Sequence, residues 1–133
     1  MLLVMASALI GCKSDEKKIS EASHLLARQH EAWNRALASC QKGEPNLGDL
    51  KSVGEYLYNR TRNRVEMDYD KPNKQEVLDT LADVSAKYTQ TVLSKIVPTA
   101  QSYALAPGVS KADLCKAFMD LDPEYQKLIE MTK

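Results

Sequence analysis

Between Tyr56 and Tyr69 the chain concentrates the residue types that carry binding chemistry: Tyr56, Tyr58, Arg60, Arg62, Arg64 and Tyr69, with Asn59, Asn63 and Met67 among them. Tyrosine and arginine offer large contact area with few torsions, and guanidinium groups present planar donors to carboxylates, so this pattern suits a protein interface. On a helix, Arg60 and Arg64 share one face while Arg62 points away. Tyr56, Tyr58, Arg60, Arg62 and Arg64 therefore form the expected partner-binding surface. The competing interpretation is a solvated helix face whose arginines pair with Glu55, Glu66, Asp68 and Asp70.

Other reactive residue types are arranged less productively. His24 and His30 lie six residues apart, about 240° around a helix, and so point to different faces. Neither has Cys, Asp or Glu at a spacing that builds a known metal site. There is no Gly-x-Ser-x-Gly, no Gly-rich phosphate loop and no Cys-x-x-Cys-His. Ser14 and Lys17 have Ser-x-x-Lys spacing, but in a charged segment with nothing to shield a nucleophile from water. The pairs Asp68/Asp70 and Asp120/Asp122 suit turns and helix ends, and Asn59-Arg60-Thr61 is a glycosylation sequon in form only. The expectation is no catalytic residues, no metal and no cofactor, with Trp33 in the core.

The N-terminus carries a different signal. Met1–Ile10 is uncharged and mostly apolar, ends in Leu9-Ile10-Gly11-Cys12, and switches at once to Lys13-Ser14-Asp15-Glu16-Lys17-Lys18. This boundary resembles the lipobox of bacterial lipoproteins. The resemblance implies export, removal of residues 1–11 as a signal peptide, and acyl chains such as palmitate on Cys12. Each buried CH₂ contributes about 0.8 kcal/mol, so two or three chains anchor stably. No Lys or Arg precedes Leu2, and basic residues are expected ahead of the recorded start. The apolar run is shorter than the roughly 20 residues a membrane span requires. Lys13 after Cys12, where Asp would favour inner-membrane retention, implies by the same resemblance an outer-membrane anchor facing the periplasm. The alternative is a short buried helix that happens to end in Gly-Cys.

With Cys12 assigned to lipid, Cys40 and Cys115 remain as one pair in an oxidising compartment. A bridge between them closes a loop of about 75 residues, worth around 4 kcal/mol at most on the chain-entropy model. Two buried free thiols are the competing interpretation; the absence of Cys-x-x-Cys gives little support to redox or zinc chemistry. Charge is balanced, with 18 Lys+Arg against 18 Asp+Glu. A neutral domain lacks the basic excess that nucleic acid demands, so no nucleic-acid partner is expected.

The elements that must position these groups read as helices. After a tether over 12–18, Ile19, Ala22, Leu26, Trp33, Leu37 and Cys40 mark a first helix over about 19–42, ended by Gly43 and Pro45. Leu50, Val53, Leu57, Thr61 and Val65 mark a second over about 49–65, with a less clean period, followed by a turn to Pro72. Asn73 and Glu76 resemble a capping box for a third, carried by Val77, Leu81, Val84, Tyr88, Val92 and Ile96 until Pro98 ends or kinks it. Ala106-Pro107-Gly108 breaks the chain, Ser110 with Asp113 caps a short helix, and Asp122-Pro123 starts a last one. The expected fold over 19–133 is all-α: a small antiparallel bundle of four to five helices with one disulfide and no strand.

The resulting expectation is a lipid-anchored periplasmic binding protein, held to the membrane through Cys12, that meets an unidentified protein partner. An immunity or exclusion factor blocking a toxin or an envelope-crossing machine is the first reading. A structural or pilotin-like subunit of an envelope assembly is the second.

Overall fold

The computed structural model describes residues 10–133, with side chains from Leu26 onward. Four helical runs pack as a bundle. They comprise α1 (Ile10–Gln41), a composite run of α2 (Leu47–Glu55), a π turn (Tyr56–Thr61) and α3 (Arg62–Asp68), then α4 (Lys74–Thr91) and α5 (Lys111–Met131). Residues 1–9 of the expected signal peptide (1–11) and the Cys12 side chain lie outside the described residues. Helix α1 starts at Ile10 rather than at Ile19, so the backbone of 12–18, the expected tether, is helical. Residues 12–18 hold no Gly or Pro, and their lysines and glutamate are good helix formers.

The stripe of α1 is Leu26, Gln29, Trp33, Ala36 and Cys40, all buried. Gly43 then takes a φ of +78°, a conformation glycine adopts without a Cβ clash. The helix closes through Gly43 N–H to Cys40 O and Glu44 N–H to Ser39 O. Asn46 caps α2 by accepting from the Asp49 N–H at 3.0 Å. Along the next run Leu50, Val53, Leu57, Thr61 and Val65 are all buried. Their last three steps are four residues each, and each would overshoot an α-helical turn by about 40°. The wider π turn, with i→i+5 bonding, absorbs that excess and keeps Thr61 and Val65 on the core side.

Helix α4 begins where expected, but Asn73 does not cap it through its side chain. The Asn73 amide is engaged elsewhere: Oδ1 accepts from the Tyr69 hydroxyl at 2.7 Å and Nδ2 donates to Met131 O at 2.8 Å. This clasp satisfies a carbonyl at the open end of α5. Val77, Leu81, Val84, Tyr88, Val92 and Ile96 are all buried, yet the helix stops at Thr91. A 3₁₀ turn (Leu93–Lys95) leads into β1 (Ile96–Pro98), which pairs antiparallel with β2 (Tyr103–Leu105), Ile96 opposite Leu105. The expectation of no strand is thus corrected. Ile96 and Val97 favour extended backbone, and Pro98 disfavours α geometry in the residue before it.

Ser110 and Asp113 form the expected capping box at α5. That helix runs unbroken through Pro123, where two helices were expected. Phe118 and Leu121 before the proline, and Tyr125 and Leu128 after it, are all buried. Packing on both sides keeps the helix continuous despite the backbone bond that proline removes. Helices α1 and α5 are antiparallel: Cys40 is bonded to Cys115, with Cα atoms 5.2 Å apart, and His30 stacks on Tyr125 at the opposite end. Trp33 sits between, fully buried, stacked on Tyr125 at 3.8 Å and 4.5 Å from the Phe118 ring.

Candidate functional site

The π turn and α3 carry the expected interface residues and split them between two faces. Tyr56, Arg60 and Arg64 turn towards α1, where with Arg28, Gln29 and Thr61 they line a pocket of about 40 Å³. Tyr58 and Arg62 turn the other way and border a groove of about 410 Å³ against α4, floored by Leu81, Ala82, Ser85 and Ala86. The five residues therefore do not make one patch. Arg60 with Arg64, and Arg62 apart from them, follow the helical spacing.

Local geometry fixes the first face. Arg60 Nη1 donates to the Tyr56 hydroxyl at 3.3 Å, and its guanidinium lies 5.1 Å from the Tyr56 ring centre, a cation–π arrangement. Gln29 is only 2 % exposed. Its Oε1 accepts from the Thr61 hydroxyl at 3.2 Å, while its Nε2 is buried with no hydrogen-bond partner. Arg62 makes the ion pair that the solvated-face interpretation requires, Nε to Glu66 Oε1 at 3.2 Å. Among the described residues, Arg28, Arg60 and Arg64 make none.

Sequence reasoning missed Gln29 and Arg28. The signal for Gln29 was available: Leu26, Gln29, Trp33, Ala36 and Cys40 step by three and four, which places a polar amide on the buried stripe. Arg28 is its neighbour on the flank of that stripe. Thr61 stood in the stripe of the following run, so its hydroxyl faces the Gln29 amide across the helix contact.

A second polar cluster lies in the core. Trp33 Nε1 donates to Asp122 Oδ1 at 2.7 Å, and Gln126 Nε2 donates to the same oxygen at 3.0 Å. Asp122 thus buttresses the indole rather than ending a helix with Asp120. His30 Nδ1 lies 3.3 Å from the Tyr125 hydroxyl, while the His24 side chain is outside the described set. Burial, and secondarily the charge of Asp122, push the Tyr125 hydroxyl far above its ordinary range. Tyr88, whose hydroxyl donates to Leu50 O, is likewise pushed well up by burial. These groups hold α1, α4 and α5 together.

Among the described residues, no group of three His, Cys, Asp or Glu could hold a metal ion. None of the described helices is long and apolar enough to cross a membrane. No protein-family model matches the chain, and no curated protein or solved structure is similar to it.

Proposed function

We propose that this is a lipid-anchored protein of the bacterial envelope, tethered through Cys12 in the outer membrane facing the periplasm, that works by binding a protein partner through the π turn and α3. One observation carries the docking surface. Of the three large apolar side chains exposed among the described residues, two lie here: Tyr58 at 62 % and Met67 at 81 % exposure. They share the run with the arginines, a mixture of aromatic, methionine and guanidinium groups typical of interface cores. The partner class that fits best is a toxin or an envelope-crossing machine whose action is blocked by occupancy. The alternative role is a pilotin-like subunit of an envelope assembly.

Two experiments test this. Replacing Cys12 by Ala should release the protein from membranes or leave it unprocessed; unchanged size and unchanged detergent partition would refute the lipid anchor. A photo-crosslinking residue at Tyr58 should give one adduct of defined size in cells, while the same residue at Lys127, on α5, should not. Identical patterns at both positions would mean that the surface is not a docking site. Arg62→Glu, on the same side as Tyr58, should weaken the Tyr58 adduct through new repulsion while the protein remains folded.

A further inference from the structure

We propose that Arg28, Arg60, Arg64 and the side-chain amide of Gln29 form a binding site for one phosphate-type oxyanion. The site goes beyond the docking surface, since it would hold its ligand whether or not a protein covers it.

The first argument is charge. Three guanidinium groups line one small pocket with no carboxylate among its lining residues, in a chain of zero formal net charge. Elsewhere Arg35 is paired with Glu31 and Arg62 with Glu66. Like charges gathered without a counter-ion repel one another, and an anion placed between them removes that cost.

The second argument is the buried amide. Gln29 Oε1 is occupied by the Thr61 hydroxyl, which fixes the amide and leaves Nε2 as a buried donor without an acceptor. Buried donors are normally paired. The Tyr56 hydroxyl accepts from Arg60 and keeps its own proton to donate. The groups on the pocket wall therefore offer protons and positive charge, and what they lack is an acceptor.

Size and donor number choose the ligand. A pocket of about 40 Å³ holds a group of a few heavy atoms and not a nucleotide or a cofactor, whose sites run to roughly 300 Å³ or more. A carboxylate carries one charge and about four acceptor positions, fewer than three guanidinium forks and an amide present. A phosphate monoester carries a charge of about −2 near neutrality and three strong acceptor oxygens, and arginine forks match them bidentately. The pi turn also belongs here, because such distortions recur at functional sites and this one sets the spacing of Tyr56, Arg60 and Arg64.

The test is titration calorimetry on the full chain in detergent at fixed ionic strength. Its probes are inorganic phosphate, acetate and a water-soluble short-chain phosphatidic acid. Saturable phosphate binding is expected, with acetate weaker by about tenfold or more, since one charge and several charge-assisted bonds are lost. Arg60→Gln with Arg64→Gln should weaken phosphate by about tenfold or more, at exposed positions that do not threaten folding. Gln29→Leu, which keeps volume and burial, should weaken it as well. A response to the short-chain lipid alone, lost in the same variants, assigns the site to a lipid headgroup; a response to inorganic phosphate assigns it to the free ion. No saturable binding of either, equal binding of acetate, or binding indifferent to both sets of substitutions would overturn the proposal. The Tyr58 adduct reads the protein partner separately, so failure of one proposal is distinguishable from failure of the other.

Discussion

Trp33 on α1 donates its indole N–H to the carboxylate of Asp122 on α5 at 2.7 Å, immediately before the proline that α5 tolerates. Trp33 is fully buried and Asp122 half-buried, so with Asp122 in place the indole N–H relies on this one acceptor. Asp122→Ala should cost about 2 kcal/mol, the penalty of an orphaned buried donor. Asp122→Asn keeps an acceptor oxygen and should recover about half of that loss. Urea titration of the three proteins checks the order; equal stability of the Ala and Asn variants would show that the hydrogen bond contributes nothing.

Gly54 marks where α2 meets α4. A Cβ there would stand 2.8 Å from two Tyr88 ring carbons and 2.9 Å from Leu93 Cδ1. Tyr88 is fully buried and held by its bond to Leu50 O, so the ring cannot swing away. Alanine would gain up to about 1 kcal/mol in helix propensity, but overpacking costs about 1–3 kcal/mol, and the clash should win by about 1 kcal/mol. Gly48→Ala is the control: its nearest contact is ordinary, Asn46 Oδ1 at 3.4 Å, and it should raise stability by a few tenths of a kcal/mol. Opposite shifts in Tm are the expected result.

Alkaline pH should unfold the protein through its tyrosines. Burial raises the folded-state pKa of Tyr88 and Tyr125 above the ordinary value of 10.0. An acid whose folded pKa is raised contributes its full stability below the unfolded pKa and loses it as pH rises beyond. Stability should therefore hold to about pH 9 and fall steadily above about pH 10. Tyrosinate absorbance should appear for these two residues only together with loss of helix. Their ionisation in the folded protein would contradict the burial argument.

The Cys40–Cys115 bond joins residues 75 apart in sequence. Reduction should lower stability by about 2–4 kcal/mol, chiefly by freeing the unfolded chain. The helices should remain at room temperature, because α1 and α5 also meet through Trp33, Phe118 and Tyr125. Thiol labelling of the unfolded, non-reduced protein should find neither cysteine free.

Much of this fold was legible because three-and-four spacing is a direct record of a helix's buried side. The stripe from Val77 to Ile96 is buried throughout, and the Ser110–Asp113 box forms as its spacing indicates. Errors arose where tertiary contacts overrode a local signal. Asn73 looked like a cap, but Tyr69 and Met131 compete for its amide from 4 and 58 residues away. Pro123 looked like a start, but buried neighbours on both sides keep one helix. Val92 and Ile96 continued an apolar period that cannot show the backbone turning extended beneath it. The pocket was half legible. Arg60 and Arg64 stand out by type, whereas Gln29 is a polar side chain on a buried stripe that apolar residues mark.

The π turn leaves the second run one residue longer than its packing needs. Buried positions there are spaced by three, four, four and four residues. Removing Asn59, which is exposed, would make the series three, four, three and four, an uninterrupted α stripe with every core side chain still facing inward. A shortened chain should fold as well or better, for it would trade a rare geometry for the common one. Tyr56, Arg60 and Arg64 each stand one residue before a core position, Leu57, Thr61 and Val65, so they would stay on the Gln29 side, with the spacing of Tyr56 and Arg60 shortened by one residue. Deleting Asn59 would separate folding from anion binding only through that one-residue change in spacing, which phosphate titration of the shortened chain would read.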